Sequence, residues 1–251
     1  MKRLRFTLLV CLAVATGCGA GNKPPATIAG NWQMALSNNS GKVPSGFLLQ
    51  TGNALNGDFL ISGNCSGVGS AQGQLSGSNV SIIVNAADQT LNLTGTATSD
   101  GSSMSGGYSN LSSGCGFSET GNWTANRVKN LTGNFQGTFT SVVTDKLVFH
   151  FAGTVTQGVN TGSSFAALSG SMNSTDASCF SGASISGQIS GTAVVLNLVN
   201  ADGVALGKIS TALAIDASSM SGDYAFINTQ VPLPCGSDFG TVVFTIQPSA
   251  S

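Results

Sequence analysis

The amino-acid sequence predicts an all-β protein made of two tandem, antiparallel, up-and-down β-barrels of about eight strands each. Three observations predict this fold class. Apolar residues alternate with small polar ones along most of the chain, turn dipeptides separate the alternating runs, and the second half of the chain repeats the first. Two β-sandwiches are the alternative, because a sandwich also uses short antiparallel strands with one apolar face.

The alternation has a period of two, which is typical of half-buried antiparallel strands. The apolar members of four such runs are Trp32, Met34 and Leu36; Leu91 and Leu93; Leu147, Phe149, Phe151 and Val155; and Val242, Phe244 and Ile246. Asn56-Gly57, Asp100-Gly101 and Asp202-Gly203 are predicted turns, because hairpins use residues that accept a positive φ. No long stretch has a helical period. Barrels are favoured over sandwiches because closure removes exposed strand edges.

The internal repeat defines two copies of one unit. Five blocks recur in the same order: Gly30–Gln33 with Gly133–Gln136, Cys65 with Cys179, Gly73–Gly77 with Gly187–Gly191, Asp100–Tyr108 with Asp216–Tyr224, and Cys115 with Cys235. Chance in a chain rich in Gly and Ser does not produce five blocks in register. We therefore predict that residues 28–128 form copy 1 and residues 129–251 form copy 2.

Residues 1–17 have the pattern that is typical of an export signal. Lys2, Arg3 and Arg5 precede an apolar run, Phe6–Ala15, which is shorter than the roughly 20 residues that a membrane-spanning helix needs. The run ends in Ala15-Thr16-Gly17-Cys18, which resembles the lipobox of bacterial lipoproteins.

This resemblance implies that Cys18 is lipidated, by palmitate among other acyl chains, and becomes the first residue of the mature chain. The protein would then be exported and anchored in the cell envelope by lipid, because two or more acyl chains give stable membrane attachment. Gly19 follows the cysteine, which resembles lipoproteins sent to the outer membrane where the cell has two membranes. Residues 18–27 have no apolar period and are a predicted flexible tether.

The four cysteines that remain are predicted to form two disulfides. Cys65, Cys115, Cys179 and Cys235 are an even set in an oxidising envelope, and four cysteines allow three pairings. Each copy of the repeat contains one cysteine before its Gly-Gln block and one after its tyrosine. The repeat therefore favours the pairs Cys65–Cys115 and Cys179–Cys235.

Candidate catalytic chemistry is sparse. His150 is the only histidine and lies on the polar side of its predicted strand, and no Gly-x-Ser-x-Gly motif occurs. Asp100 and Asp216 occupy matching positions, where an Asx-turn is a simpler explanation than a Ca²⁺ loop, since calcium takes six or more oxygens. We therefore predict no enzyme activity, no cofactor and no metal site. Charged residues are only 8% of the chain and form no basic stripe, which argues against nucleic acid as a partner.

A further resemblance concerns the barrels. Gly30-Asn31-Trp32 opens the first strand of copy 1 and Arg127 lies near the end of its last strand, which resembles the lipocalin and avidin-like (calycin-type) barrels. The resemblance implies that Trp32 packs under Arg127 in a cation–π contact that closes one end of the barrel. Copy 2 has Phe135 and Ile246 at these two positions, so both partners change together.

Two functions follow from these predictions. The first is a non-catalytic, membrane-anchored lipoprotein that binds a small apolar ligand in a barrel lumen, since an eight-stranded barrel is just wide enough for one. The alternative is a structural or surface-interaction lipoprotein, with solid barrels that bind an envelope protein or the cell wall. We expect a monomer in either case.

Overall fold

The computed structural model describes residues 27–37, 42–63, 66–112, 118–144, 147–175, 182–227 and 237–248. These residues form sixteen β-strands and no helix. Barrel 1 comprises β1 (Gly30–Leu36), β2 (Val43–Thr51), β3 (Ala54–Ser62), β4 (Gly67–Ser76), β5 (Asn79–Ala86), β6 (Gln89–Ala97), β7 (Ser103–Ser112) and β8 (Glu119–Val128). Barrel 2 comprises β9 (Gly133–Ser141), β10 (Val148–Gln157), β11 (Ala166–Ser174), β12 (Ala183–Ser190), β13 (Ala193–Val199), β14 (Ala205–Leu213), β15 (Ser219–Phe226) and β16 (Phe239–Pro248).

Each barrel is a closed, up-and-down meander. Successive strands pair antiparallel, and closure comes from β1 pairing with β8 and from β9 pairing with β16. The predicted pair of tandem eight-stranded barrels is therefore confirmed, and the sandwich alternative is excluded. Two closed barrels of this kind fit a lipocalin-like barrel fold.

The period-two alternation of the sequence places the core inside each barrel. The apolar residues of the four predicted runs are buried, with Leu147 partly so. The largest buried side chains of barrel 1 include Trp32, Trp123 and Phe59, whereas those of barrel 2 are mainly phenylalanines. Both tryptophans of the protein thus lie in barrel 1.

Two of the three predicted turns are confirmed and one is wrong. Asp100-Gly101 lies between β6 and β7, and Asp202-Gly203 lies between β13 and β14. Asn56-Gly57, however, lies inside β3, where Gly57 pairs with Leu48. A Cβ at Gly57 would collide with the carbonyl oxygen of Phe47, so this glycine is explained by close strand approach instead of by a turn.

Several sequence predictions fall on residues outside the described ranges. These are the export signal, nearly all of the tether, the lipidation site Cys18, and the four cysteines Cys65, Cys115, Cys179 and Cys235. Across the part of the chain that the structure describes, we find no helix with the length and apolar character needed to cross a membrane.

Candidate functional site

The lumen of barrel 2 is filled by aromatic side chains. Phe139 lies at the centre of the cluster, with its ring centroid 4.6 Å from that of Phe151 and 5.0 Å from that of Tyr224. Phe149, Phe226 and Phe244 surround the same ring, and Phe135 packs edge-on against Phe244 at 5.1 Å. These rings occupy the space that a lumen ligand would need, so the packing favours a solid barrel 2.

The predicted closure residues lie side by side at one end of barrel 1. Trp32 and Arg127 are directly opposite each other in the β1–β8 ladder, and in barrel 2 Phe135 lies opposite Ile246. Trp32 Nε1 donates to the carbonyl of Ile28 at 2.8 Å, and Arg127 Nη1 donates to the carbonyl of Thr27 at 3.1 Å. Both side chains therefore hold the segment that enters β1.

The opposite end of barrel 2 holds a buried acid that the sequence analysis missed. Asp238 is fully buried and accepts hydrogen bonds from Tyr224 Oη at 2.7 Å and from Ser141 Oγ at 2.6 Å. Ser141 Oγ in turn accepts from the backbone N–H groups of Val143 and Thr144. Burial, followed by the hydrogen bond to Asp238, raises the pKa of Tyr224 far above its ordinary value. The network has its donors and acceptors matched, and it holds the backbone of Val143 and Thr144, which follow β9.

Barrel 1 has a different polar group at the equivalent end. Lys42 is 5% exposed, and its Nζ lies 3.8 Å from Glu119 Oε1. With the Asn110 amide oriented to satisfy its neighbours, the Asn110 oxygen accepts from Lys42 Nζ at 2.7 Å. Glu119 and Asp238 are equivalent, since each lies two residues before the glycine that pairs with the tyrosine of its barrel. The low similarity of the flanking residues hid this match in the sequence.

Asp100 and Asp216 form Asx-turns. Asp100 Oδ1 accepts from the backbone N–H and hydroxyl of Ser102 and from Thr98 Oγ1, and Asp216 Oδ1 accepts in the same way from Ser218. These hydrogen bonds, with that from Thr98 the strongest, lower the pKa of Asp100 to about 2. Among the described residues, no group of three or more His, Cys, Asp or Glu side chains is placed to hold a metal ion.

The outer face of β1 and β2 binds barrel 2 through side-chain hydrogen bonds. Asn31 Nδ2 donates to the carbonyl of Gly191 at 2.8 Å, and the Gly191 N–H donates to Asn31 Oδ1 at 2.7 Å. Gln33 Oε1 accepts from the N–H and the hydroxyl of Thr192. Asn31 is only 2% exposed, and the oxygen and the nitrogen of its amide both bond to the backbone of one turn residue.

Apolar packing completes this interface. Phe47, on the outer side of β2, is buried in the hydrophobic cluster of barrel 2 together with Leu131 from the link between the barrels. Ser45 Oγ and Ser190 Oγ are 3.0 Å apart in the same contact. The barrels are therefore joined by a mixed polar and apolar interface as well as by the chain.

The two repeat blocks that contribute this interface were visible in the sequence, but their role was not. Gly30–Gln33 provides the Asn-x-Gln face, and Gly187–Gly191 ends in the turn that it binds. We name the Asn-x-Gln strand surface the amide face and the Ser-Gly-Thr/Ser connection the turn tip. Each barrel contains one of each, because each copy contains both blocks.

The amide face of barrel 2 borders an open depression on its outer surface. Asn134 and Gln136 are exposed there, and a concavity of about 450 Å³ extends from Gln136 past Thr138 and His150 to Thr245. His150 lies opposite Thr138 in the β9–β10 ladder, and both are exposed, so the histidine is on the predicted polar side of its strand. Hydroxyl, amide and imidazole groups, with a few apolar atoms from Val243 and Ala152, line this surface.

Comparisons with known proteins give two structural likenesses. The crystal structure of the Myxococcus xanthus hemagglutinin in complex with α3,α6-mannopentaose is 11% identical, covers 85% of this chain and 98% of its own, and has a TM-score of 0.23. A protein of unknown function from the DUF3598 family of Nostoc punctiforme is 11% identical, covers 87% and 94%, and has a TM-score of 0.25. No family model and no curated protein sequence matches the chain. Neither likeness identifies a ligand for this chain.

Proposed function

We propose that this chain is a non-catalytic, lipid-anchored envelope protein whose solid barrels bind a protein partner through the outer face of barrel 2. The partner surface comprises the amide face, Asn134 and Gln136, and the adjoining depression that includes Thr138, His150 and Thr245. This is the surface-interaction alternative of the sequence analysis, and the filled lumen of barrel 2 supports it over a lumen ligand.

One observation carries the proposal. The equivalent face of barrel 1 already binds protein backbone, since Asn31 and Gln33 bind a turn of the other barrel. The hydrogen bonds of Asn31 are buried, and those of Gln33 are partly buried. The same residue types on the same strand of barrel 2 remain exposed. Such a face recognises peptide groups and needs no charged partner, which suits a surface with few charges.

Attachment to the envelope is the second part of the proposal and rests on the lipobox-like Ala15-Thr16-Gly17-Cys18. The expected result is that cells fed an alkyne analogue of palmitate incorporate the label into the wild-type protein and not into a Cys18→Ser variant. Labelling of both proteins alike, or of neither, would contradict lipidation at Cys18.

The binding face can be tested by photo-crosslinking in cells that make the protein. A photoreactive amino acid is placed at Thr138 or Thr245, inside the depression, and at Thr94 on the exposed outer surface of barrel 1 as the control. We expect a discrete protein adduct from positions 138 and 245 that is absent at position 94. If the two depression positions give no adduct beyond that of the control, the proposed function is wrong.

A further inference from the structure

We infer that the partner of the barrel 2 face is a second copy of this chain, bound head to tail. The amide face of barrel 2, Asn134 and Gln136, would bind the turn tip of barrel 1, Ser76-Gly77-Ser78, of the next molecule. This inference rests on the proposed function and names its partner. It departs from the monomer expected from the sequence.

The interface inside the chain is heterologous. The amide face of barrel 1 contacts the turn tip of barrel 2, so the contact uses two different surfaces of one repeated unit. The amide face of barrel 2 and the turn tip of barrel 1 take no part in this contact, and both are exposed. A heterologous contact with both complementary surfaces free continues into a ring or an open chain of molecules.

The two turn tips have matching backbone geometry. Gly77 has a φ of 62° and Gly191 a φ of 55°, both in the left-handed region that glycine adopts without strain. The residue after each glycine accepts an equivalent backbone hydrogen bond: Ala97 N donates to Ser78 O at 2.8 Å, and Leu213 N donates to Thr192 O at 2.7 Å. The N–H and carbonyl groups of Gly191 bind Asn31, and the same groups of Gly77 therefore have a matching orientation in the turn tip of barrel 1.

One turn tip is occupied and the other is open. A Cβ added at Gly191 would collide with Gln33 Oε1 and lie 2.6 Å from Ser45 Cβ, whereas a Cβ added at Gly77 would meet nothing within 4 Å. Ser76, Gly77 and Ser78 are all exposed. Asn134 and Gln136 are exposed as well, and no side-chain hydrogen bond of either is found within the described residues.

The contact between molecules is expected to be weaker than the one inside the chain. Thr154 lies opposite Asn134, at the position that Phe47 occupies opposite Asn31, so the large apolar anchor is absent from barrel 2. Leu131, which adds to the interface inside the chain, belongs to the link between the barrels, and no such link joins two separate molecules. Association is therefore expected to depend on concentration, and anchoring of the molecules on one membrane would favour it.

The test is sedimentation velocity of the full mature chain, residues 18–251, over a concentration series, with two blocked variants. All proteins carry Cys18→Ser, so that no acyl chain associates the molecules independently of the two surfaces. Asn134→Ala/Gln136→Ala removes the amide face, and Gly77→Asn adds a side chain to the turn tip at a φ that asparagine tolerates. Gly52→Asn is the matched control, because Gly52 also has a left-handed φ, 59°, and open space around it, but belongs to neither repeat block.

We expect the average mass of the wild type and of Gly52→Asn to rise with concentration beyond that of a monomer, while each blocked variant stays monomeric. A mixture of the two blocked variants retains one intact face and one intact tip, so it should form dimers and nothing larger. A wild type that stays monomeric throughout, or blocked variants that associate as the wild type does, would overturn the inference.

The crosslinking experiment separates this inference from the proposed function. An adduct of this chain with itself at positions 138 and 245 supports both. An adduct with a different protein, combined with a monomeric wild type, leaves the binding face standing and overturns the second-copy inference. The absence of any specific adduct overturns both.

Discussion

Tyr224 donates a hydrogen bond of 2.7 Å to Asp238 at an end of barrel 2 where both side chains are buried. Tyr224→Phe removes this donor and leaves a buried carboxylate oxygen without it, while the ring packing against Phe139 is retained. We expect a loss of about 1–3 kcal/mol in the free energy of unfolding, measured by urea denaturation at neutral pH. Unchanged stability would mean that water or another group satisfies Asp238.

The Tyr224–Asp238 pair also predicts that the free energy of unfolding depends on pH. The pKa of Tyr224 is raised in the folded state, so the folded protein holds this proton more tightly than the unfolded chain does. Its contribution to stability is complete below the ordinary tyrosine pKa of about 10 and declines as the pH rises above that value. Wild type should therefore lose stability in alkaline solution more steeply than Tyr224→Phe. Parallel curves for the two proteins would contradict the raised pKa.

The Lys42–Glu119 pair predicts that substitutions at the two positions have strongly non-additive effects on the free energy of unfolding. Glu119→Gln leaves Lys42 buried without its anionic partner, and breaking such a pair costs about 3–5 kcal/mol; we expect the lower end because Asn110 still accepts from Lys42. Lys42→Met in the same background removes the unpaired charge and should recover part of the loss. Equal destabilisation in the single and double variants would show that the charge is not the cause.

The lowered pKa of Asp100 predicts that the protein loses stability at acidic pH. Its pKa is lowered to about 2 in the fold, so its stabilising contribution is present above the ordinary value of 3.8 and is lost as the pH falls through about 2. Asp100→Asn should flatten the dependence of stability on pH in this window. Ser102→Ala, which removes a hydroxyl donor from the same carboxylate, should shift the dependence part of the way. If stability depends on pH in Asp100→Asn as it does in the wild type, this carboxylate is not the source of the pH dependence.

The two closure positions predict an energetic coupling that can be measured in a double-mutant cycle. Trp32→Phe and Arg127→Ile introduce the residues that barrel 2 has at these positions, Phe135 and Ile246. Each single change should destabilise barrel 1, and the double variant should be more stable than the sum predicts by about 0.5–2 kcal/mol. Strict additivity would contradict a contact between the tryptophan ring and the guanidinium.

The interface between the barrels predicts cooperative unfolding. Because both tryptophans lie in barrel 1, tryptophan fluorescence follows that barrel alone, whereas far-ultraviolet circular dichroism follows both. The two transitions should coincide in the wild type and separate in Gly191→Asn, whose added side chain displaces Gln33. Gly77→Asn makes the same change at the open turn tip and should leave the transitions coincident.

The sequence was sufficient for the fold because barrel architecture depends on patterns that are local and repeated. Alternation in β1 and β10 located the inward residues, and the repeat implied that Phe135 and Ile246 replace Trp32 and Arg127, which the strand register bears out. The turn prediction at Asn56-Gly57 failed because glycine is also required where two backbones approach closely, and a dipeptide does not distinguish these cases.

The contact surfaces could not be predicted, because they depend on how one barrel is placed against the other. Asn31 and Gly191 are far apart in the chain, and an alternation pattern marks both simply as outward-facing or as part of a turn. Asp238 was missed for a related reason: its hydrogen-bond donors Tyr224 and Ser141 lie on other strands, far from it in the sequence.

The chain emerges N-terminus first, from the ribosome and equally from an export channel, and we expect this order to give the amide face of barrel 1 a role in folding. Barrel 1 can close as soon as β8 has been made, whereas barrel 2 cannot close until β16, its last strand, pairs with β9. Multidomain chains generally fold from the N-terminus as synthesis proceeds. Asn31 and Gln33 are thus in place when the β12–β13 hairpin is made, and they can hold its turn while barrel 2 is still an open sheet with an unpaired edge. Barrel 1 would then act as an intramolecular chaperone for barrel 2, and the amide face would limit the time for which that edge is available to other chains.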